Sequence, residues 1–92
     1  MHAVIVSVTI NDGEAATENL RNEIVPRVKQ APGFVAGWWT RSQDRSNGMG
    51  VIIWDSEEAA QQAQQRLQSE GPGDSDHVNV ESVEIREVVA NA

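Results

Sequence analysis

Pro32-Gly33-Phe34-Val35-Ala36-Gly37-Trp38-Trp39 is the stretch that decides how this chain is read. Proline followed by glycine ends a helix, and the aromatic and β-branched residues after it start a strand. On its N-terminal side, Ala16, Leu20, Ile24 and Val28 recur every fourth residue. That spacing marks one face of a helix from Glu14 to about Gln30, which Pro26 should kink or whose regular part it should end. Before it, Asn11-Asp12-Gly13 is turn chemistry, with Asn11 or Asp12 suited to cap the helix. Ala3 to Ile10 is β-branched almost throughout, the composition of a central strand.

On the C-terminal side, Phe34 to Arg41 reads as a second strand, with Trp38 and Trp39 on opposite faces. Asp44-Arg45-Ser46-Asn47-Gly48 is a hairpin loop in which Asn47-Gly48 is the strongest turn signal. Met49 to Trp54 is a third strand. Asp55 and Glu58 have the form of a capping box, opening a helix from Ser56 to about Ser69. Ala59 or Ala60, with Ala63 and Leu67, form the inner face of that helix. Gln61, Gln62, Gln64 and Gln65 cover its outside. Glu70 to Asp76 is rich in glycine, proline and aspartate and reads as a loop. Val78 to Val89 is a last strand whose interleaved Glu81, Glu84, Arg86 and Glu87 suit a sheet edge with one wet side, or an arm that reaches a partner.

This βαβ-βαβ order predicts an α+β, ferredoxin-like antiparallel sheet. The apolar first and third strands should be central and both helices on one face. Val4, Val6, Val8 and Ile10 then face one way, and Ile5, Ser7 and Thr9 the other. The face without helices needs a cover, and a second copy of the chain supplies one, so a homodimer is expected.

Composition narrows the function classes. The 92 residues suffice for a single domain, expected to span residues 1–92. Chains of this size bury only about 60–65% of their unfolded surface, which favours oligomerisation. Seven basic against fourteen acidic residues give a net charge of −7, which repels nucleic-acid backbones and anionic lipid surfaces. The run from Ala3 to Ile10 is too short to cross a bilayer and has neither a basic flank nor a cleavage site. A soluble, cytoplasmic protein is the expectation. With no cysteine and only two histidines, far apart in sequence, neither a metal site nor a cofactor is expected.

All three tryptophans and the one phenylalanine lie between positions 34 and 54, in a chain without tyrosine. Phe34, Trp38, Trp39 and Trp54 are therefore the candidate residues for a flat, apolar ligand. Each has a packing explanation as well, in the core or at an interface. Trp54, ending a central strand, is the strongest pocket candidate, and its indole N–H needs a partner if buried. His77 could act as a general base, although a surface position explains it too. Arg41 is either an anion clamp or a charged residue guarding a sheet edge. His2 reads as a frayed terminal residue, and Glu14, Glu18 and Glu23 as a solvated helix face.

Pro32 to Gly37 and Val51-Ile52-Ile53-Trp54-Asp55-Ser56-Glu57-Glu58-Ala59, with the order of elements, resemble the dimeric α+β barrel superfamily. The likeness is to its antibiotic-biosynthesis-monooxygenase-like branch. That resemblance implies a pocket between sheet and helices, and an activity drawn from cofactor-free oxygenation, haem degradation or isomerisation. Haem-degrading members place an asparagine on the first strand, a tryptophan near the end of the third and a histidine on or after the following helix. Here Trp54 matches, Ser7 stands nearest the asparagine, and the nearest histidine is His77. In a cofactor-free oxygenase, Trp54 with Trp38 or Trp39 would stack on a phenolic ring, and Arg41 would balance its charge. The alternative is a non-catalytic dimer in which the tryptophans serve packing.

Overall fold

A computed structural model describes residues 1–11, 13–70 and 78–92, without the side chains of Ala16, Asn19, Gln68, Ser69, Glu70 and Val78. Three expectations therefore fall outside the described residues: Asp12 as a helix cap, Ala16 on the inner helix face and His77. So does most of the Glu70 to Asp76 loop.

The elements follow the expected order: β1 (His2–Ile10), α1 (Gly13–Asn19), a π-helical segment (Leu20–Ile24), α2 (Val25–Lys29), β2 (Phe34–Arg41), β3 (Asn47–Trp54), α3 (Glu57–Glu70) and β4 (Val78–Glu87). The sheet is antiparallel, in the order β2-β3-β1-β4. Strands β1 and β3 are central because they are apolar on both faces, and the charged β4 lies at an edge. This is the ferredoxin-like α+β arrangement.

Pro26 interrupts the first helix as its chemistry requires. It has no N–H to donate to the carbonyl of Asn22, and its ring crowds that carbonyl. The chain widens into a π turn over Leu20–Ile24 and resumes as α2 with proline in its first turn. The cost shows in packing: no residue from Leu20 to Lys29 is fully buried.

The second helix differs from expectation at its cap. Ser56, and not Asp55, caps α3: the Ala59 N–H donates to Ser56 Oγ at 3.1 Å. Asp55 is held instead against the Pro-Gly turn, where its own N–H donates to the Gly33 carbonyl at 2.9 Å. Gly33 has a φ of +86°, and a Cβ there would lie 2.7 Å from the Ala59 Cβ and 2.8 Å from Asp55 Oδ1. Only glycine suits that position. Gln64 also departs from its expected outer place, donating from Nε2 to the Val83 carbonyl at 3.4 Å.

The hairpin between β2 and β3 closes earlier than the Asn-Gly signal suggests. Asn47 and Gly48 pair with Thr9 and Val8 inside the sheet, and Gly48 also pairs with Arg41. Asp44 organises the turn: Ser42 Oγ and Ser46 Oγ each donate to its Oδ1 at 2.7 Å, and the Ser46 N–H does so at 3.0 Å. Arg45, at φ 63°, takes the left-handed residue of the turn. A side-chain network has outweighed a backbone preference.

The core lies between sheet and helices. Val4, Val6, Ile52, Trp54, Ala59, Ala60 and Ala63 form one buried cluster, against which Val28, Ala31, Phe34, Trp39, Leu67, Val83 and Ile85 pack. Three small alanines on α3 let that helix approach the sheet closely, as their spacing predicts. The opposite face carries Ile5, Val51 and Ile53, half-buried, with Met49 and Trp38 exposed.

Candidate functional site

The inner face of the sheet is a graded row from one end to the other. Register places His2 opposite Trp54, and Trp54 opposite Phe34. At mid-sheet, Trp39 lies opposite Gly50, and at the far end Arg41 lies opposite Gly48. Along β3 the distance from Gly48 to Trp54 is about 20 Å at ~3.3 Å per residue.

At the first end, Trp54 is only 3% exposed and packs in the alanine-lined core. The edge of Phe34 meets it in a T-shaped contact, with ring centroids 6.0 Å apart and planes at 80°. Trp54 Nε1 is buried with no hydrogen-bond partner among the described residues. His2 is not frayed. It belongs to β1, its side chain is 20% exposed, and its Nε2 lies 3.4 Å from Glu57 Oε2 at the start of α3. Its Nδ1 is the second buried polar side-chain atom without a partner among the described residues. No local pattern in the sequence marks His2, because strand register alone sets it beside Trp54.

Trp39 packs on the inner face over two glycines. A Cβ at Gly37 would lie 2.9 Å from Trp39 Cη2, and one at Gly50 would lie 3.1 Å from Trp39 Cδ1. The indole therefore spans the backbone of two strands, and any side chain at either glycine would displace it. Trp38 points to the opposite face and is 60% exposed. The two adjacent tryptophans thus divide between faces as a strand requires.

At the far end, Arg41 lines an open cleft of about 370 Å³ together with Glu14, Thr17, Glu18 and Arg45. Its Nη1 donates to Thr17 Oγ1 at 3.4 Å. The cleft contains none of the aromatic residues. Arg41 cannot balance a charge held at Trp54, so the pairing of these two expected from the resemblance does not form. Glu14 and Glu18, taken as a plain solvated face, are part of this cleft. Ser7 projects from the opposite face of the sheet, between Met49 and Ser82, and does not meet Trp54. His77 is outside the described residues. No group of three or more metal-ligating side chains occurs among the described residues.

The one strongly displaced titration among the described residues is remote from these groups. Asp44 is pulled from 3.8 to about 2 by the hydrogen bonds from Ser46 and Ser42, which favour its charged form. It belongs to the turn and not to either end of the inner face.

No family sequence profile and no curated protein sequence matches this chain. Solved structures do. SnoaB, a cofactor-independent oxygenase from Streptomyces nogalater, superimposes with a TM-score of 0.75 at 14% identity, over 98% of this chain and 94% of that one. A dimeric ferredoxin-like protein from an uncultured marine organism gives 0.63 at 12% identity, over 100% and 98%. A mutant of MhuD, solved with two manganese protoporphyrin IX molecules per active site, gives 0.66 at 18% identity, over 100% and 98%. No helix among the described residues is long and apolar enough to cross a membrane. At these identities the likeness is one of fold, and the chain has the ferredoxin-like α+β fold that these structures share.

Proposed function

We propose that this protein binds a small, flat, mainly apolar molecule between its sheet and helices, and oxygenates it without a cofactor. One observation carries the reading: the indole N–H of Trp54 is buried and has no acceptor among the described residues. A buried donor left unmade costs about 1–3 kcal/mol, which a ligand oxygen at that position would recover. A flat phenol or quinol supplies both the oxygen and a ring to lie against the aromatic inner face. The loosely seated first helix, with no fully buried residue from Leu20 to Lys29, is the element that can yield space for it. The fold shared with a cofactor-independent oxygenase adds support.

The working unit of this proposal is a homodimer. Trp38 and Met49 stand exposed beside Ile5, Val51 and Ile53 on the face without helices, and a second copy laid there would cover all five. A second reading rests on the burial of Trp54 against Ala59 and Ala63: a non-catalytic dimer whose aromatic residues serve packing alone. Titration with a panel of polycyclic quinols, followed by tryptophan fluorescence and oxygen uptake, separates the two. Saturable quenching at micromolar ligand with oxygen consumption supports the first. Absence of quenching across the panel supports the second.

A further inference from the structure

The cleft at the far end of the sheet is lined by charges of both signs that do not satisfy one another. Glu14 and Glu18 stand one turn apart on α1, so their carboxylates share a helix face and repel. Across from them, Arg41 ends β2 and Arg45 belongs to the turn that follows. Each arginine is fixed from its own side. Thr17 Oγ1 donates to the Gly13 carbonyl at 2.8 Å, and its lone pairs are left to accept from Arg41 Nη1 at 3.4 Å. That contact holds the Arg41 guanidinium against the first turn of α1. Arg45 is set by its left-handed backbone, and its N–H donates to the Ser42 carbonyl at 3.0 Å. The carboxylate next to it in sequence, Asp44, is engaged by Ser42 and Ser46. Among the described residues no ion pair joins either arginine to either glutamate, and Arg41 has no side-chain acceptor besides Thr17. Most of the guanidinium N–H donors are therefore open to a ligand.

We propose that this cleft is a second binding site, for a small zwitterion whose carboxylate meets Arg41 and Arg45 and whose ammonium meets Glu14 and Glu18. The observation behind it is that both signs line one space of about 370 Å³ and do not pair across it. A space of that size admits a molecule as large as an amino acid. The planar guanidinium fork matches the two oxygens of a carboxylate, and an ammonium between the glutamates relieves their mutual repulsion. A simple anion would meet Glu14 and Glu18 at the wall and a net charge of −7 on the chain. A simple cation would meet the two arginines. Only a molecule carrying both charges is opposed by neither. Because the cleft is open, water and salt screen each contact, and the affinity is set at about millimolar. No bond is made or broken here. No aromatic residue lines the cleft, so this site is separate from the one proposed at Trp54.

The test titrates the full chain, labelled with nitrogen-15, at low ionic strength with β-alanine, 4-aminobutyrate and 6-aminohexanoate. These separate the same two charges by increasing lengths, so the spacing is measured and not presupposed. The controls are the plain carboxylate and the plain amine of matching chain length. NMR reads the backbone amides of Glu14, Thr17 and Glu18 and the Nε–H groups of Arg41 and Arg45. At least one zwitterion should shift these resonances saturably, about tenfold tighter than either of its single-charge controls. Arg45→Gln should weaken that zwitterion severalfold and leave the plain amine unchanged. Glu18→Gln should weaken it severalfold and leave the plain carboxylate unchanged or tighter. Both side chains are exposed, so the fold should survive each change. A carboxylate that binds as tightly as its zwitterion would overturn the part given to the glutamates, and the proposal with it. Full affinity retained in both variants would overturn the location. Absence of saturable shifts across the series would overturn the cleft as a binding site. Quinol binding is read on the Trp54 indole N–H and stands or falls separately.

Discussion

Replacing Trp54 by Phe sets two calculable effects against each other. The indole is only 3% exposed, so the smaller ring leaves a void. A volume loss of about 40 Å³ at ~24 cal/mol per Å³ costs about 1 kcal/mol. Lost transfer free energy adds roughly another 1 kcal/mol. Against this, the substitution removes a buried N–H with no acceptor among the described residues, whose presence costs about 1–3 kcal/mol. The two nearly cancel, and the expected change in stability is within about 1 kcal/mol, or a midpoint shift of roughly 4–8 °C at most for a domain of this size. Chemical denaturation followed by circular dichroism measures it. Ligand affinity should behave differently, falling about tenfold for a flat phenol because the donor is gone. A destabilisation above about 3 kcal/mol with no change in affinity would refute the reasoning, since the indole N–H would then be satisfied and the residue purely structural.

Other outcomes rest on separate parts of the molecule. Gly33→Ala should destabilise the protein by about 2–4 kcal/mol, because the added methyl meets the Ala59 Cβ at 2.7 Å in a left-handed backbone; a melt within about 2 °C of the unaltered protein would contradict it. Trp38→Glu should leave the chain folded and abolish the proposed dimer, read as a monomer mass in sedimentation equilibrium, since a charge would enter the exposed apolar surface of the open face. Asp44 should titrate near pH 2 by carbon-13 NMR. Its folded pKa is depressed, so its contribution to the turn is present above the usual 3.8 and lost as pH falls from there through about 2. In Asp44→Asn that acid-dependent loosening of the turn should disappear.

Much of the fold was legible along the chain because its signals are local. The four-residue spacing of Leu20, Ile24 and Val28, the Pro32-Gly33 stop, and the apolar runs of β1 and β3 each act within a few residues of themselves. Strand order followed from composition, because strands apolar on both faces must be central. The split of Trp38 and Trp39 between faces followed from the period of a strand. Which one turned inward did not: that choice needed the glycines at 37 and 50, which make room for one indole and come from two different strands.

What only the tertiary structure decided depends on register. Nothing in the sequence brings His2 beside Trp54, more than half the chain away; the pairing of β1 with β3 does. The same register carries Arg41 to the far end of the sheet and Ser7 to its other face, parting two residues that the resemblance grouped with Trp54. The Asn47-Gly48 signal yielded for a similar reason, because the hydrogen bonds collected by Asp44 close the turn first and draw both residues into the ladder. Local chemistry specifies elements and their ends. The meeting of side chains across strands is fixed by hydrogen-bonded pairing over long sequence distances, and the candidate site exists only at that level.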